Sequence, residues 1–255
     1  MNERSPALGL VAFFFSIIFT IPVNGSAYEV STVLNGASIT GQVIFKGPVP
    51  HPRPFGLIVY PDMDLCERIS DGKGHRLLRD FSVSENGGFQ DVVVAVQNVS
   101  RGKPFPGKEV LIGIKDCEFR PFVSVVRDGE TMSFLNHDDV IHDIQTYSIV
   151  ANRRGDRIFD RAALPNSRLS QAIKVPGDNK IVWTQCGKHS FMQSWSYAVD
   201  NPYYAITGPD GRFSIKDLPP GRYRVTAWHP FMKLREQSVD LSTNSQGKVN
   251  FEFGK

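Results

Sequence analysis

Between Trp183 and Met192 the chain reads Trp-Thr-Gln-Cys-Gly-Lys-His-Ser-Phe-Met, setting a thiol at Cys186, an imidazole at His189 and a thioether at Met192. All three are soft ligands, and this spacing lets one tight loop turn them toward a common point. One thiolate, one imidazole and a weak thioether suit copper. A fourth ligand must come from elsewhere, and His142, which ends the run Asn136-His-Asp-Asp-Val-Ile-His142, supplies it. Two imidazoles and a thiolate in a trigonal set, with a long axial methionine, make the electron-transfer type of copper site. Such a set is a compromise between the preferences of the cuprous and cupric ions, so little rearrangement accompanies electron gain or loss.

Zinc is the chemical rival, but structural zinc sites are closed, favour more thiolates and do not use methionine. Haem attachment would need Cys-x-x-Cys-His, which the sequence lacks. It also lacks the His-x-His pairs that assemble a trinuclear copper centre, and a Gly-x-Ser-x-Gly elbow for a catalytic serine. The expectation is one-electron exchange and not an enzyme. His51, His75 and His229 show no metal-like spacing to one another; Trp228-His229 reads as an aromatic anchor at a domain interface.

Ligands of this kind need loops held by a rigid scaffold. With Gly 22, Pro 17 and Phe 18 in 255 residues, the composition favours many short strands joined by turns, hence an all-β fold. Ile39 to Phe45 alternates like a strand, Phe55 to Tyr60 is a second candidate, and Phe89 to Val99 is dense in β-branched residues. Val110 to Lys115, Phe122 to Arg127 and Glu130 to Leu135 read as successive antiparallel strands, and His142 to Tyr147 resumes the sheet. Strands at Ser170 to Val175 and Lys180 to Gln185, turning over Pro176-Gly-Asp-Asn179, deliver Cys186 at a sheet edge, and Ser194 to Val199 leads away from it. Asp62 to Asp80 reads as a long polar surface loop. Ser148 to Ser170 reads as an exposed, arginine-rich insertion with at most a short helical turn. After Tyr203, four hairpin-linked strands are too few for a sandwich of their own and need Ile39 to Phe45 and Phe89 to Val99 as partners.

Arg4, an apolar run from Ala7 to Val23 and the small residues of Asn24-Gly-Ser-Ala27 read as a secretory signal cleaved after Ala27. An uncleaved membrane anchor is the alternative. Export gives the three cysteines a meaning, because pairing two leaves one over. Cys66 and Cys117 both sit among turn-forming residues and are expected to form a disulfide in an oxidising compartment, the alternative being two free buried thiols. The net charge of +3 is small and no basic run is present, which argues against a nucleic-acid partner.

Asn136-x5-His142 together with Cys186-x2-His189-x2-Met192 resembles the cupredoxins, and the short ligand loop, with Phe191 before Met192, resembles the amicyanin type. The resemblance implies copper bound by His142, Cys186, His189 and Met192, with the Asn136 amide bracing the ligand loop by a hydrogen bond. The family spacing selects His142 over His137. Gly187-Lys188 and Ser190 depart from the pattern, standing where amicyanin-like loops carry proline. A second resemblance, carried by Ile39-Thr-Gly-Gln-Val, Thr207-Gly-Pro-Asp-Gly-Arg-Phe-Ser-Ile and Leu218-Pro-Pro-Gly-Arg-Tyr, is to the carboxypeptidase regulatory-like, or transthyretin-like, β-sandwich. The combination is similar to exported methylamine-utilisation or plastocyanin-like proteins.

These resemblances imply a signal peptide (1–27), a first part of the transthyretin-like sandwich (28–108), a Greek-key copper domain (109–202) and the rest of the sandwich (203–255). They imply a periplasmic or secreted carrier of single electrons, working with a c-type cytochrome or an exported dehydrogenase. Membrane association is expected only if the N-terminal segment stays on. His189 would be the electron port, its ring edge surfacing beside Phe191 and the charge of Lys188. The alternative is an envelope carbohydrate- or protein-binding sandwich with a copper-storage or vestigial metal site.

Overall fold

The computed structural model describes residues 28–78, 80–107, 109–151, 153–175 and 180–254; the expected signal segment and the turn at 176–179 lie outside them. The architecture is all-β, two sandwiches joined along a shared apolar seam.

The half that carries the ligand loop has two sheets. One orders its strands Arg168–Ala172, Thr131–Asn136, Glu109–Ile114 and Phe119–Arg120. The other orders Arg153–Ala163, His142–Val150, Ile181–Cys186, Gln193–Ala198 and Val123–Val126. Ile112, Met132, Phe134, Ile144, Val182 and Cys186 fill the space between them.

Three expectations about this half need correction. Glu109–Ile114 and Thr131–Asn136 pair in parallel, not as neighbours in a meander, because the intervening strand Val123–Val126 crosses to the opposite sheet and pairs there with Gln193–Ala198. Cys186 does not leave a sheet edge: its strand is central, flanked by His142–Val150 and Gln193–Ala198. The 148–170 stretch is no irregular insertion. It is largely strand, with Arg153–Ala163 forming the edge against His142–Val150 and Arg168–Ala172 the edge against Thr131–Asn136.

In the other half, Ala37–Lys46 pairs with Arg212–Leu218, Gln246–Lys248 and Phe251–Gly254, while Val93–Gln97 lies between Tyr204–Ile206 and Gly221–Trp228. Strands from both ends of the chain therefore build one sandwich around the inserted half. Alternation puts Ile39, Val43 and Phe45 inside with Phe89, Val225 and Phe251. Gly41 interrupts that row because Val249 crosses there: a Cβ would stand 1.6 Å from its carbonyl oxygen.

The seam is made by Val93, Ala95 and Trp228 from one half against Val123, Val125, Tyr197 and Val199 from the other. His229, Phe231 and Trp195 extend it.

The polar 62–80 stretch is also not a surface loop. Arg53–Gly56 and His75–Leu78 form a two-stranded ribbon, and between them lies one turn of helix at Met63–Cys66 continued by a 3₁₀ turn at Glu67–Ile69. Leu57, Cys66 and Leu78 are buried in the core of the metal-ligand half. This segment, residues 53–78, is a cap over the end of the sandwich where the ligand loop lies. A disulfide between Cys66 and Cys117 fastens it, with 5.3 Å between the two Cα atoms.

Candidate metal centre

Inward-facing residues alternate along Ile181–Cys186, so Val182, Thr184 and Cys186 point into the sandwich. Cys186 is the last of them and the free cysteine among the described residues, with no exposed surface. His142 opens the neighbouring strand, whose register sets Ile144 opposite Cys186. The ligand loop folds back on itself: the Cys186 N–H donates to the Met192 carbonyl at 3.3 Å and the Met192 N–H to the His189 carbonyl at 2.8 Å. The Gly187 N–H donates to the Asp143 carbonyl at 2.7 Å, a bond that proline at position 187 could not make.

The result brings His142 Nδ1 to 3.8 Å and His189 Nδ1 to 3.6 Å from Cys186 Sγ. The three donor atoms lie within 4.8 Å of one another, and all three residues are buried. An ion bonded at about 2.3 Å to sulfur and about 2.0 Å to nitrogen holds such atoms roughly 3.6–3.8 Å apart, so the residues fit a metal. Met192 is buried in the same core cluster as Cys186. His137, the competing imidazole, points to solvent.

Hydrogen bonds on the far side of each ring fix which nitrogen is free. His142 Nε2 lies 2.9 Å from Asp138 Oδ2 and His189 Nε2 lies 3.1 Å from the Pro61 carbonyl. Both partners accept, so Nε2 carries the proton in each ring and Nδ1 keeps its lone pair facing Cys186, the arrangement that orients imidazole ligands around metals. Asp62 adds a carboxylate 3.4 Å from His189 Nε2. Burial lowers the pKa of both imidazoles below the ordinary histidine value, overriding the nearby carboxylates, and burial raises that of the Cys186 thiol. A cation supplies the charge that lets a buried thiol ionise.

Two expectations fail here. Asn136 does not reach the ligand loop. Its amide donates to the carbonyls of Val140, Ala163 and Leu164 and its oxygen accepts from the Asp138 N–H, so it holds the loop before His142 against the turn after Ala163. The ligand loop has closed upon itself and on Asp143, leaving no call for that brace.

His189 and Phe191 form no surface patch either, since both are covered by the cap. Tyr60 packs edge-on against Phe191 with ring centroids 5.1 Å apart and shares a 2.7 Å hydrogen bond with Ser190, while the Arg76 guanidinium lies 5.4 Å above the Phe191 ring. Lys188 alone of the expected docking features is exposed.

The sequence reading missed Asp138 and the cap. Asp138 accepts from the N–H groups of Asp116 (2.6 Å) and Cys117 (3.0 Å) as well as facing His142, so one buried carboxylate joins His142 to the turn that carries Cys117. Its position four residues before His142 was the available signal. Asp116 and Cys117 both adopt left-handed backbone (φ 51° and 55°), a conformation these bonds help to hold.

No protein-family model matches the chain, and no curated protein matches it. Among solved structures it is similar to cupredoxins over less than half its length. Amicyanin from Paracoccus versutus (Thiobacillus versutus) is 16% identical with a TM-score of 0.30, over 42% of this chain and 97% of that one. A purple cupredoxin from Nitrosopumilus maritimus is 18% identical with a TM-score of 0.29, over 36% of this chain and all of that one. A copper-containing nitrite reductase from Thermus scotoductus is 18% identical with a TM-score of 0.29, over 38% of this chain and 24% of that one. No helix among the described residues is long and apolar enough to cross a membrane.

Proposed function

We propose that His142, Cys186 and His189, with Met192 as a weaker fourth ligand, would hold one copper ion, and that the chain exchanges single electrons with exported redox proteins such as a c-type cytochrome or dehydrogenase. The observation that carries the reading is the convergence of two Nδ1 atoms and one buried thiol within 4.8 Å, with both tautomers set for coordination. When bound, copper would supply the change of oxidation state. The chain's own residues hold the lone pairs in place, exclude water and, through Asp138 and the Pro61 carbonyl, keep the outer ring protons fixed. In this reading the protein is periplasmic or secreted, is not an enzyme, and its outer sandwich is a non-catalytic, carboxypeptidase regulatory-like support.

The test is to produce the chain from Tyr28 onward, add Cu(II), and look for the intense visible thiolate-to-copper band. Absence of the band in folded protein sinks the reading. Cys186→Ser should abolish the colour. Met192→Leu should keep it and raise the reduction potential; loss of copper in that variant refutes the role of Met192 as a weak ligand.

The cap favours a second reading, copper storage, because the imidazole edge through which a partner would dock is covered by Pro61 and Asp62. A carrier should be oxidised by ferricyanide within the mixing time of a stopped-flow instrument, whereas a store should react only as fast as the cap opens.

A further inference from the structure

The Cys66–Cys117 disulfide lies beside the candidate centre. Both sulfurs are within 4.8 Å of a ring nitrogen of His189, the imidazole that also faces Cys186. Cys117 Sγ is moreover within 4.8 Å of ligand atoms of Asp138 and His142. All of these residues are buried. A staple meant only to hold the cap needs no such company, and the fold goes to some length to put it there, Cys117 standing at positive φ with its N–H held by Asp138.

We propose that Cys66, Cys117 and His189 form a second soft-metal site, hidden while the cysteines are oxidised and opened when they are reduced, and that its ion is Cu(I). Opening is a thiol–disulfide exchange with a dithiol reductant. One thiolate of the dithiol attacks a protein sulfur and the other protein sulfur leaves as thiolate. The dithiol's second sulfur then displaces the remaining protein sulfur. The disulfide gains two electrons and two protons, and the dithiol leaves as its own disulfide. Two thiols and an imidazole then stand within one ion's reach, and each thiol gives up its proton as its sulfur binds. Two thiolates with one imidazole select a cuprous ion over a cupric one. Because both sites call for copper and share His189, this proposal rests on the reading above, with one difference: the second site holds metal only in the reduced protein.

The test uses the full chain from Tyr28 and a chromophoric Cu(I) chelator as competitor. The disulfide-bonded wild type reports on the first reading alone, retaining one copper. The Cys186→Ser variant lacks that centre's thiolate. It should hold no copper against the chelator while oxidised, and one equivalent after reduction by a dithiol and desalting without oxygen. Adding Cys117→Ser to that background should abolish the gain, and adding His189→Gln should weaken it at least tenfold. If Cys186→Ser does not fold, Cys186→Ala serves instead, because removing the thiol of the first centre leaves the one free nitrogen of His189, Nδ1, to the second site.

The proposal is overturned if the reduced Cys186→Ser variant binds no more Cu(I) than the oxidised one. It is equally overturned if the gain survives loss of both cysteines, or if a dithiol cannot open the disulfide in the folded chain.

Discussion

At the scale of single residues, the centre depends on what stands behind its ligands. Asp138 accepts a hydrogen bond from the outer N–H of His142 while satisfying two backbone N–H groups. Asp138→Asn preserves the shape but removes the charge and turns one end of the side chain into a donor facing donors. Copper affinity should fall by about 10–100-fold, the usual effect of losing an outer-shell partner, as read by chelator competition. His229 offers a contrasting case. Packed against Phe81 and Phe89, it has its pKa lowered by burial from 6.5 to about 3. Because the folded value lies below the unfolded one, the unfolded chain binds the extra proton between those limits. Stability is therefore complete above pH 6.5 and declines below it, by about 1.4 kcal/mol per pH unit. Urea unfolding at pH 7.5 and 5 should register the decline, and His229→Asn should remove most of its share. Residues such as Cys186, His189 and Met192 were legible in the sequence because their types and spacing have few other uses. Asp138 was not, since an aspartate before a histidine has many.

At the scale of elements, the cap decides the character of the site, and its sequence announced only part of it. A strand was legible at Phe55 to Tyr60, although the strand formed is Arg53–Gly56; from Asp62 on, the apolar contributions Leu65, Ile69 and Leu78 are too sparse to mark an element, so that part reads as polar and irregular. The edge strand Arg153–Ala163 was obscured for another reason: it buries only Phe159 and Ala163 and carries charge on both faces, as exposed edges do to avoid pairing with other chains. The parallel pairings were invisible because neighbouring strands in sequence lie in different sheets. The all-β class itself was readable, since strand after strand keeps its alternation. Opening the disulfide loop, whose ends are 51 residues apart, should cost about 4 kcal/mol on the chain-entropy account. Denaturant titration of the Cys66→Ser, Cys117→Ser double variant measures it. Hydrogen exchange should quicken first in the cap amides, before the two sandwiches are affected.

At the scale of the whole molecule, the two halves share a buried apolar seam and are expected to unfold together. Excising residues 109–200 would bare Val123, Val125, Tyr197 and Val199 at the seam and would leave behind the cap with Pro61 and Asp62. The fragment is expected to bind a hydrophobic dye and aggregate, whereas the full chain should melt in a single transition by near-ultraviolet circular dichroism. A small sandwich carrying a ligand loop is thus enclosed twice, by a support along one face and by a lid over one end. Enclosure separates two quantities that are easily confused, the strength with which an ion is held and the speed with which it is traded. If copper binds as proposed, loading and loss would have to pass the cap over His189, so both rates would share a ceiling set by the motion of residues 53–78. Removal of copper by a chelator should then proceed at a rate independent of chelator concentration, and a modest equilibrium constant could coexist with an ion that stays for hours.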